Sequence, residues 1–351
     1  MRFEFLTSTP LSPTEGSGTF VALDGLARGL RELGHTVAIR PLAARTGFHT
    51  LDRWLYNLRV ALRPPVADVT VGVDLDGFLW ARRSHRGPFV VMLKGIIADE
   101  LRNERGWVRV LLSVQARWER SNTARADRVI VPSRYSASVA QDVYRVPPAK
   151  LAVVPEPIDL VEWRRRFAEA PGPAATRPIV LSVARMYPRK RLDDLLRAAV
   201  ILRDRIPAAQ VRIVGEGPES ARLRALHRDL RLGDAAVLLG EVTRAKLAVE
   251  YTYAHCFCLP SVQEGFGLVF AEAMAAGLPV VACRAAAVPE IVEEGRTGLL
   301  VGQRSPAELA TALETLLMNE RMREDFGRAA TQRVETFDLQ RVARRFLEVL
   351  T

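Results

Sequence analysis

The stretch that most restricts this chain runs from His255 to Val281. His255 to Leu259 is a short apolar run, the pattern of a strand buried on both faces. Gly265 and Gly267 follow in a loop, where glycine lets the backbone turn tightly. Leu268 to Ala276 reads as a helix, stopped by Gly277 and Pro279. Val280 and Val281 begin another apolar run. Strand, glycine loop, helix and strand make a parallel α/β unit. Its loop lies at the carboxyl end of a strand, where open α/β sheets bind ligands. The helix start offers free N–H groups to an anion such as a phosphate. Two glutamates frame the segment, Glu264 in the loop and Glu272 about two turns into the helix. Both can therefore face one ligand rich in hydroxyl groups.

A second strand-and-loop unit supplies positive charge. Ile179 to Val183 is β-branched and is followed by Ala184-Arg185-Met186-Tyr187-Pro188-Arg189-Lys190-Arg191, then an amphipathic helix from Leu192 to Leu202. Arginine offers a planar fork of donors and lysine a compact charge, a pair suited to a diphosphate. Lysine is scarce in this arginine-rich chain, so Lys190 at such a place points to a specific role. Val211 to Val214 runs into the Gly215-Glu216-Gly217 turn, and Val237 to Val242 is another strand.

The first half alternates in the same way. Phe3 to Leu6 reads as a strand, Thr19 to Leu33 as a helix and Thr36 to Ile39 as a second strand. Gly16 and Gly18 form a turn after the first strand. Val69 to Gly77 ends in an Asp74-x-Asp76 pair, whose acids can cap the next helix or touch a substrate. Phe89 to Leu93 leads into Lys94, and the last strands are Val129 to Val131 and Leu151 to Val154. Ala168 to Pro178, rich in Ala, Pro and Gly, reads as a linker between two α/β halves.

These segments closely resemble the retaining GT-B glycosyltransferases of family 4. The resemblance implies two Rossmann-like domains facing across a cleft: an acceptor domain over 1–167, the linker 168–178, and a donor domain over 179–335. A helix over 336–351 returns to the first domain. In the family the first glutamate of the pair contacts the donor sugar and the second the nucleotide ribose. The glycine-loop amides meet sugar and phosphate, and an Arg and a Lys hold the diphosphate. Carried over, Arg185, Lys190 and Glu264 serve catalysis. Gly16, Gly18, Gly215, Val242, Gly265, Phe266, Gly267, Leu268, Val269 and Glu272 bind the donor. Lys94 and Asp76 lie on the acceptor side. Many relatives carry His where this chain has Lys94, and Asn-Gly where it has Glu156-Pro157.

The implied reaction transfers a sugar, with retention, from a UDP- or GDP-linked donor to a glycan, lipid or small-molecule acceptor. No cofactor is expected. The Asp-x-Asp pair is the metal motif of a different fold, GT-A, and no metal is expected here. Two alternatives remain: a nucleotide-sugar epimerase of the same fold, and a relative that binds the donor without turning it over.

Composition narrows the partners. At 351 residues the chain is long enough for two domains, and 26% charged residues is ordinary for a soluble protein. The net charge of +10 suits anionic substrates, an anionic membrane or nucleic acid. No basic block, helix-turn-helix or RNA-binding aromatic motif accompanies it, so nucleic acid is not expected. Leu101 to Arg120 mixes Trp, Leu and Arg, the chemistry of an interfacial helix or of a core-facing helix with a wet arginine face. There is no apolar run long enough to span a bilayer. Met1 to Leu6 reads as a first strand and not a signal peptide. Cys256, Cys258 and Cys283 fall in apolar runs and read as core residues. A reducing, cytoplasmic setting is expected, with peripheral contact at the inner face of a membrane left open.

Overall fold

The computed structural model describes residues 1–9, 17–42, 46–83, 87–171 and 177–350. Gly16 and residues 172–176 of the expected linker lie outside them. The strands are β1 (Arg2–Leu6), β2 (Thr36–Arg40), β3 (Val69–Val73), β4 (Phe89–Met92), β5 (Arg128–Val131), β6 (Leu151–Val153), β7 (Ile179–Val183), β8 (Gln210–Val214), β9 (Ala236–Gly240), β10 (Cys256–Leu259), β11 (Val280–Cys283) and β12 (Gly298–Val301). The helices are α1 (Ser17–Glu32), α2 (His49–Leu62), α3 (Ile97–Glu100), α4 (Gly106–Arg125), α5 (Arg134–Tyr144), α6 (Leu160–Glu169), α7 (Leu192–Arg205), α8 (Ser220–Asp229), α9 (Arg244–Tyr253), α10 (Leu268–Ala275), α11 (Val288–Ile291), α12 (Pro306–Met318), α13 (Glu320–Val334) and α14 (Leu339–Glu348).

The chain divides into two units, one of Met1–Ile158 with Asp338–Thr351, the other of Asp159–Phe337. The first holds a six-stranded sheet in the order β2-β1-β3-β4-β5-β6. The second holds a six-stranded sheet in the order β12-β11-β10-β7-β8-β9. Every ladder is parallel, so within each sheet all carboxyl ends lie on one edge. Strand order reverses between β1 and β3 in one unit and between β7 and β10 in the other. These are the switch points at which α/β sheets open a crevice for ligands. Both units are Rossmann-like, as expected for GT-B.

The division falls ahead of the expected linker. Helix α6 belongs to the second unit because Trp163 and Phe167 pack on Tyr251, at ring-centroid distances of 5.6 and 6.3 Å. The start of the linker is therefore helical. The closing helix α14 belongs to the first unit. Ile158 pairs with Asp338, so the chain leaves and rejoins that unit side by side. From there α14 lies along α1, and Phe346 is buried against Phe3 and Phe5.

That helix pair meets at a glycine. A Cβ added at Gly29 would lie 2.8 Å from Leu339 Cδ2, 2.9 Å from Ala343 Cβ and 2.9 Å from the Leu339 carbonyl oxygen. No ordinary packed contact is that short, so any side chain here forces α1 and α14 apart. Gly29→Val is expected to destabilise the first unit by about 1–3 kcal/mol through overpacking. Urea unfolding followed on that unit measures it. An unchanged midpoint would mean that the helices part at no cost.

Candidate active site

Within the second unit the loops after β7, β8 and β10 are sewn together at the switch point. The amide of Val262, past the end of β10, donates to the Arg189 carbonyl at 2.9 Å, and the Ser261 hydroxyl donates to the same oxygen at 3.2 Å. On the other side, the Met186 amide donates to the Glu216 carbonyl at 3.0 Å. Gly215 makes this approach possible. Its φ is +120°, and a Cβ there would sit 2.1 Å from the Ala184 carbonyl oxygen. Only glycine fits such a position.

Across this seam, Lys190 Nζ meets Glu264 Oε1 at 2.5 Å, and both side chains are largely buried. The sequence placed these residues in different units of secondary structure, and the fold brings them together. Lysine has three N–H donors, so one bound to Glu264 leaves others for a ligand. Arg185 lies in the same loop after β7, its guanidinium 5.8 Å from the centre of the Tyr187 ring. The Arg189 guanidinium stands 4.8 Å from the centre of the same ring. Arg191, by contrast, is spent on Asp194, with two bonds of 2.9 Å that tie down the start of α7.

Glycine also starts helix α10. Gly267 has φ +98°, and a Cβ there would strike the Phe270 ring at 2.6 Å. Leu268 and Val269 open the helix and are half-buried, so their amides are orphan donors of a helix start. Phe266 turns inward and packs edge-on against Phe337 at 5.1 Å. Its side chain is core, and only its backbone can serve a ligand. Val242, half-buried, follows β9 on the same edge of the sheet.

Glu272 has a partner that spacing did not reveal. The Tyr251 hydroxyl donates to Glu272 Oε2 at 3.0 Å. Burial pushes the Glu272 carboxyl from its ordinary 4.5 up to about 7, against the opposing pull of the Tyr251 hydroxyl and of Arg244. Tyr251 and Arg244 both come from α9. Nothing in the local pattern links a tyrosine on one helix to a glutamate on the next.

The first unit carries its own polar cluster at the carboxyl edge. Asp76 accepts from the Ser8 amide at 2.5 Å, the Ser8 hydroxyl at 2.8 Å and the Asn57 amide group at 3.0 Å. Both of its oxygens are thus engaged in joining β1, α2 and β3. Asp74 has φ +54° and accepts from the Lys94 amide at 2.7 Å. Burial pushes its carboxyl up to about 6, with Arg53 pulling the other way. Lys94 Nζ is bound to Glu156 Oε2 at 2.5 Å, both side chains buried. The two departures from the family pattern, Lys94 and Glu156, therefore face each other. Gly18 lies exposed in the first turn of α1. The three cysteines are free thiols in the core, as expected.

Twin six-stranded parallel sheets, with loops gathered at the switch point of the second, define a GT-B glycosyltransferase fold. A family model described as "Glycosyl transferases group 1" matches residues 164–333, and one described as "Glycosyltransferase Family 4" matches residues 68–162. The chain belongs to this glycosyltransferase family. It is 34% identical over 225 residues to D-inositol 3-phosphate glycosyltransferase 2 of Catenulispora acidiphila, covering 60% of this chain and 53% of that protein. It is 32% identical over 245 residues to a GDP-mannose-dependent alpha-(1-6)-phosphatidylinositol monomannoside mannosyltransferase of Mycolicibacterium smegmatis, covering 66% and 63%. The matched region spans about half the length of the first of these relatives. Among solved structures, a sucrose-phosphate synthase from Thermosynechococcus elongatus superposes with a TM-score of 0.82 at 20% identity, covering 99% of this chain and 98% of that one. Anabaena HepE, solved with UDP and glucose, gives a TM-score of 0.76 at 19% identity, covering 99% and 98%.

The raised Glu272 carboxyl has a consequence for pH. A carboxyl with a raised folded pKa holds its proton more tightly folded than unfolded. Its effect is therefore to lower stability as pH rises from about 4.5 through about 7. Glu272→Gln is expected to flatten that decline. Tyr251→Phe, which removes a bond to the ionised form, is expected to move the carboxyl further up. A carbon-13 NMR titration of the Glu272 carboxyl reads both effects, and an unmoved titration in Tyr251→Phe would rule out the hydroxyl as its partner.

Proposed function

We propose that the chain transfers a sugar, with retention at the anomeric carbon, from a nucleoside-diphosphate sugar to a hydroxyl of an acceptor. The observation that carries this reading is the buried Lys190–Glu264 bond at the switch point of the second unit, beside the start of α10. A cation, a carboxylate and orphan helix amides at one loop cluster suit a diphosphate joined to a polyol. Arg185 and Lys190 neutralise the departing diphosphate, which stabilises charge where it develops in the transition state. Glu264 orients the donor sugar and also holds Lys190 in place. The amides of Gly265, Gly267, Leu268 and Val269 meet sugar and phosphate, and Gly215 and Val242 line the nucleotide. Glu272 accepts from the ribose hydroxyls. The donor is UDP- or GDP-linked, and the two cations do the work that a metal does in other transferases. No further cofactor is invoked.

On the acceptor side we place Asp76, as the buried support of its loop, and Lys94. Acceptors named for the relatives, D-inositol 3-phosphate and a phosphatidylinositol mannoside, support a hydroxyl-bearing glycan, lipid or small molecule. The relatives' names favour transfer over the epimerase and binding-only alternatives. Three free buried thiols fit a reducing, cytoplasmic setting, which the proposal includes.

Lys190→Ala is expected to lower kcat by about a hundredfold or more while weakening nucleotide binding far less, because its charge matters most as the bond breaks. Steady-state kinetics at saturating donor measure it, and an unchanged kcat would remove Lys190 from the mechanism.

The two glutamates separate by ligand. Glu272→Ala is expected to weaken bare nucleoside diphosphate and intact donor alike, by about tenfold. Glu264→Ala is expected to weaken the intact donor more than the bare nucleotide. Calorimetry with UDP, GDP and their sugar derivatives reads this, and the reverse pattern would exchange the two roles.

A further inference from the structure

Helix α4 does not bury its apolar start. Residues 105–111 are all exposed. Among them Trp107 is 80% exposed, Val108 52% and Val110 51%, with Leu111 close behind. Four large apolar side chains within five residues at the surface are far outside ordinary surface statistics, where such residues occur singly. The reading of this helix as simply core-facing fails for its first two turns. It holds only further on, where Gln115, Ala116, Glu119, Asn122 and Thr123 face inward.

A second helix extends the patch. Gln115 accepts from Arg53 Nη1 at 3.1 Å and donates to the Thr50 hydroxyl at 2.8 Å, so it binds α4 to the first turns of α2. Trp107, Leu111 and Gln115 are four residues apart and form one row on α4. The row therefore leads from the exposed tip to α2; Phe48, just before α2, is 73% exposed, and Leu51 and Trp54 in its first turns are exposed as well.

The exposed charge borne by the two helices themselves has one sign. Each of the two helices has a single acid, and both are buried. Asp52 is taken by the amide and hydroxyl of Thr46 at 2.6 and 2.7 Å. Glu119 is taken by the Ile97 amide at 3.0 Å and by the Tyr144 hydroxyl. The exposed charges left are Arg59 on α2 and Arg109, Arg117, Arg120 and Arg125 on α4, with Arg105 just before it.

We infer that this face docks on an anionic lipid bilayer. Trp107, Val108, Val110 and Leu111 enter the interface between headgroups and acyl chains, and the arginines meet lipid phosphates. Tryptophan suits that layer because its ring is apolar and its N–H wants a polar partner. A second copy of this chain fits badly, since a two-fold contact would set arginine against arginine. The inference does not depend on the sugar-transfer reading, because it rests on other residues in the other unit.

The test is flotation of the full chain with vesicles of phosphatidylcholine alone or mixed with phosphatidylglycerol. Binding is expected to the mixed vesicles only, and to fall as salt rises. Each of Arg109→Glu and Arg117→Glu is expected to reduce binding by roughly fivefold or more. Trp107→Ser combined with Leu111→Ser is expected to abolish it without lowering the melting temperature. Should that double variant misfold, brominated lipids are expected to quench tryptophan emission of the wild type, and Trp107→Phe is expected to lose most of that quenching, the remainder coming from Trp54. Failure of the wild type to float with anionic vesicles at low salt would overturn the inference. So would equal binding to both vesicle kinds, or a dimer in sedimentation that Trp107→Ser converts to monomer.

Discussion

The bond between Lys190 and Glu264 depends on two strands lying side by side that are far apart in sequence. Strand β7 opens the second sheet and β10 joins it only after two intervening strands have been laid on the other side. Parallel pairing at that seam puts the loops after both strands on one edge. The Arg189 carbonyl, bonded by Ser261 and Val262, then fixes their register, and the lysine and the carboxylate are left at contact distance. Taking both charges out of water is costly, and one partner alone would leave an uncompensated buried ion. Such a pair is therefore better suited to meeting a charged ligand than to holding the fold together.

The first unit solves a related problem differently. Its switch-point loop is held by Asp76, whose acceptors are filled by Ser8 and Asn57, and by the Asp74 carboxyl under the Lys94 amide. At the side-chain end, Lys94 is neutralised by Glu156. A lysine buried without a carboxylate would tend to lose its charge, and a glutamate buried without a cation would take up a proton. Each substitution relative to the family pattern thus makes sense only with the other. Lys94 is thus a paired cation, held by the Glu156 carboxylate at 2.5 Å.

Much of this was legible in the sequence because parallel strands are buried on both faces and announce themselves as apolar runs. Ile179–Val183 was read with its bounds as found, and Cys256–Leu259 and Leu268–Ala275 to within a residue. Gly267 and Gly215 were legible as turns, although the sequence does not say that their Cβ positions are occupied by Phe270 and by the Ala184 carbonyl. What escaped was long-range and chemical. The Tyr251–Glu272 bond, the Lys94–Glu156 pair and the capture of Asp76 each join elements that no local period relates. The unit boundary was misjudged for a similar reason. A linker-like composition near 168–178 is real, but the packing of Trp163 and Phe167 on Tyr251 puts α6 in the second unit.

Helix α4 shows why composition alone could not choose between a packed helix and an exposed one. A helix has one inward face, and here polar side chains occupy it: Gln115, Glu119 and Asn122 bond to α2, to the Ile97 amide and to the Asp74 and Asp76 carbonyls. Those bonds fix the rotation and depth of the helix by its second half. The first two turns are then carried beyond the body of the unit, whatever residues they bear. In an ordinary domain they would be polar. That they are Trp, Val, Val and Leu among arginines means that the buried polar row and the exposed apolar row are one arrangement, in which the first aims the second.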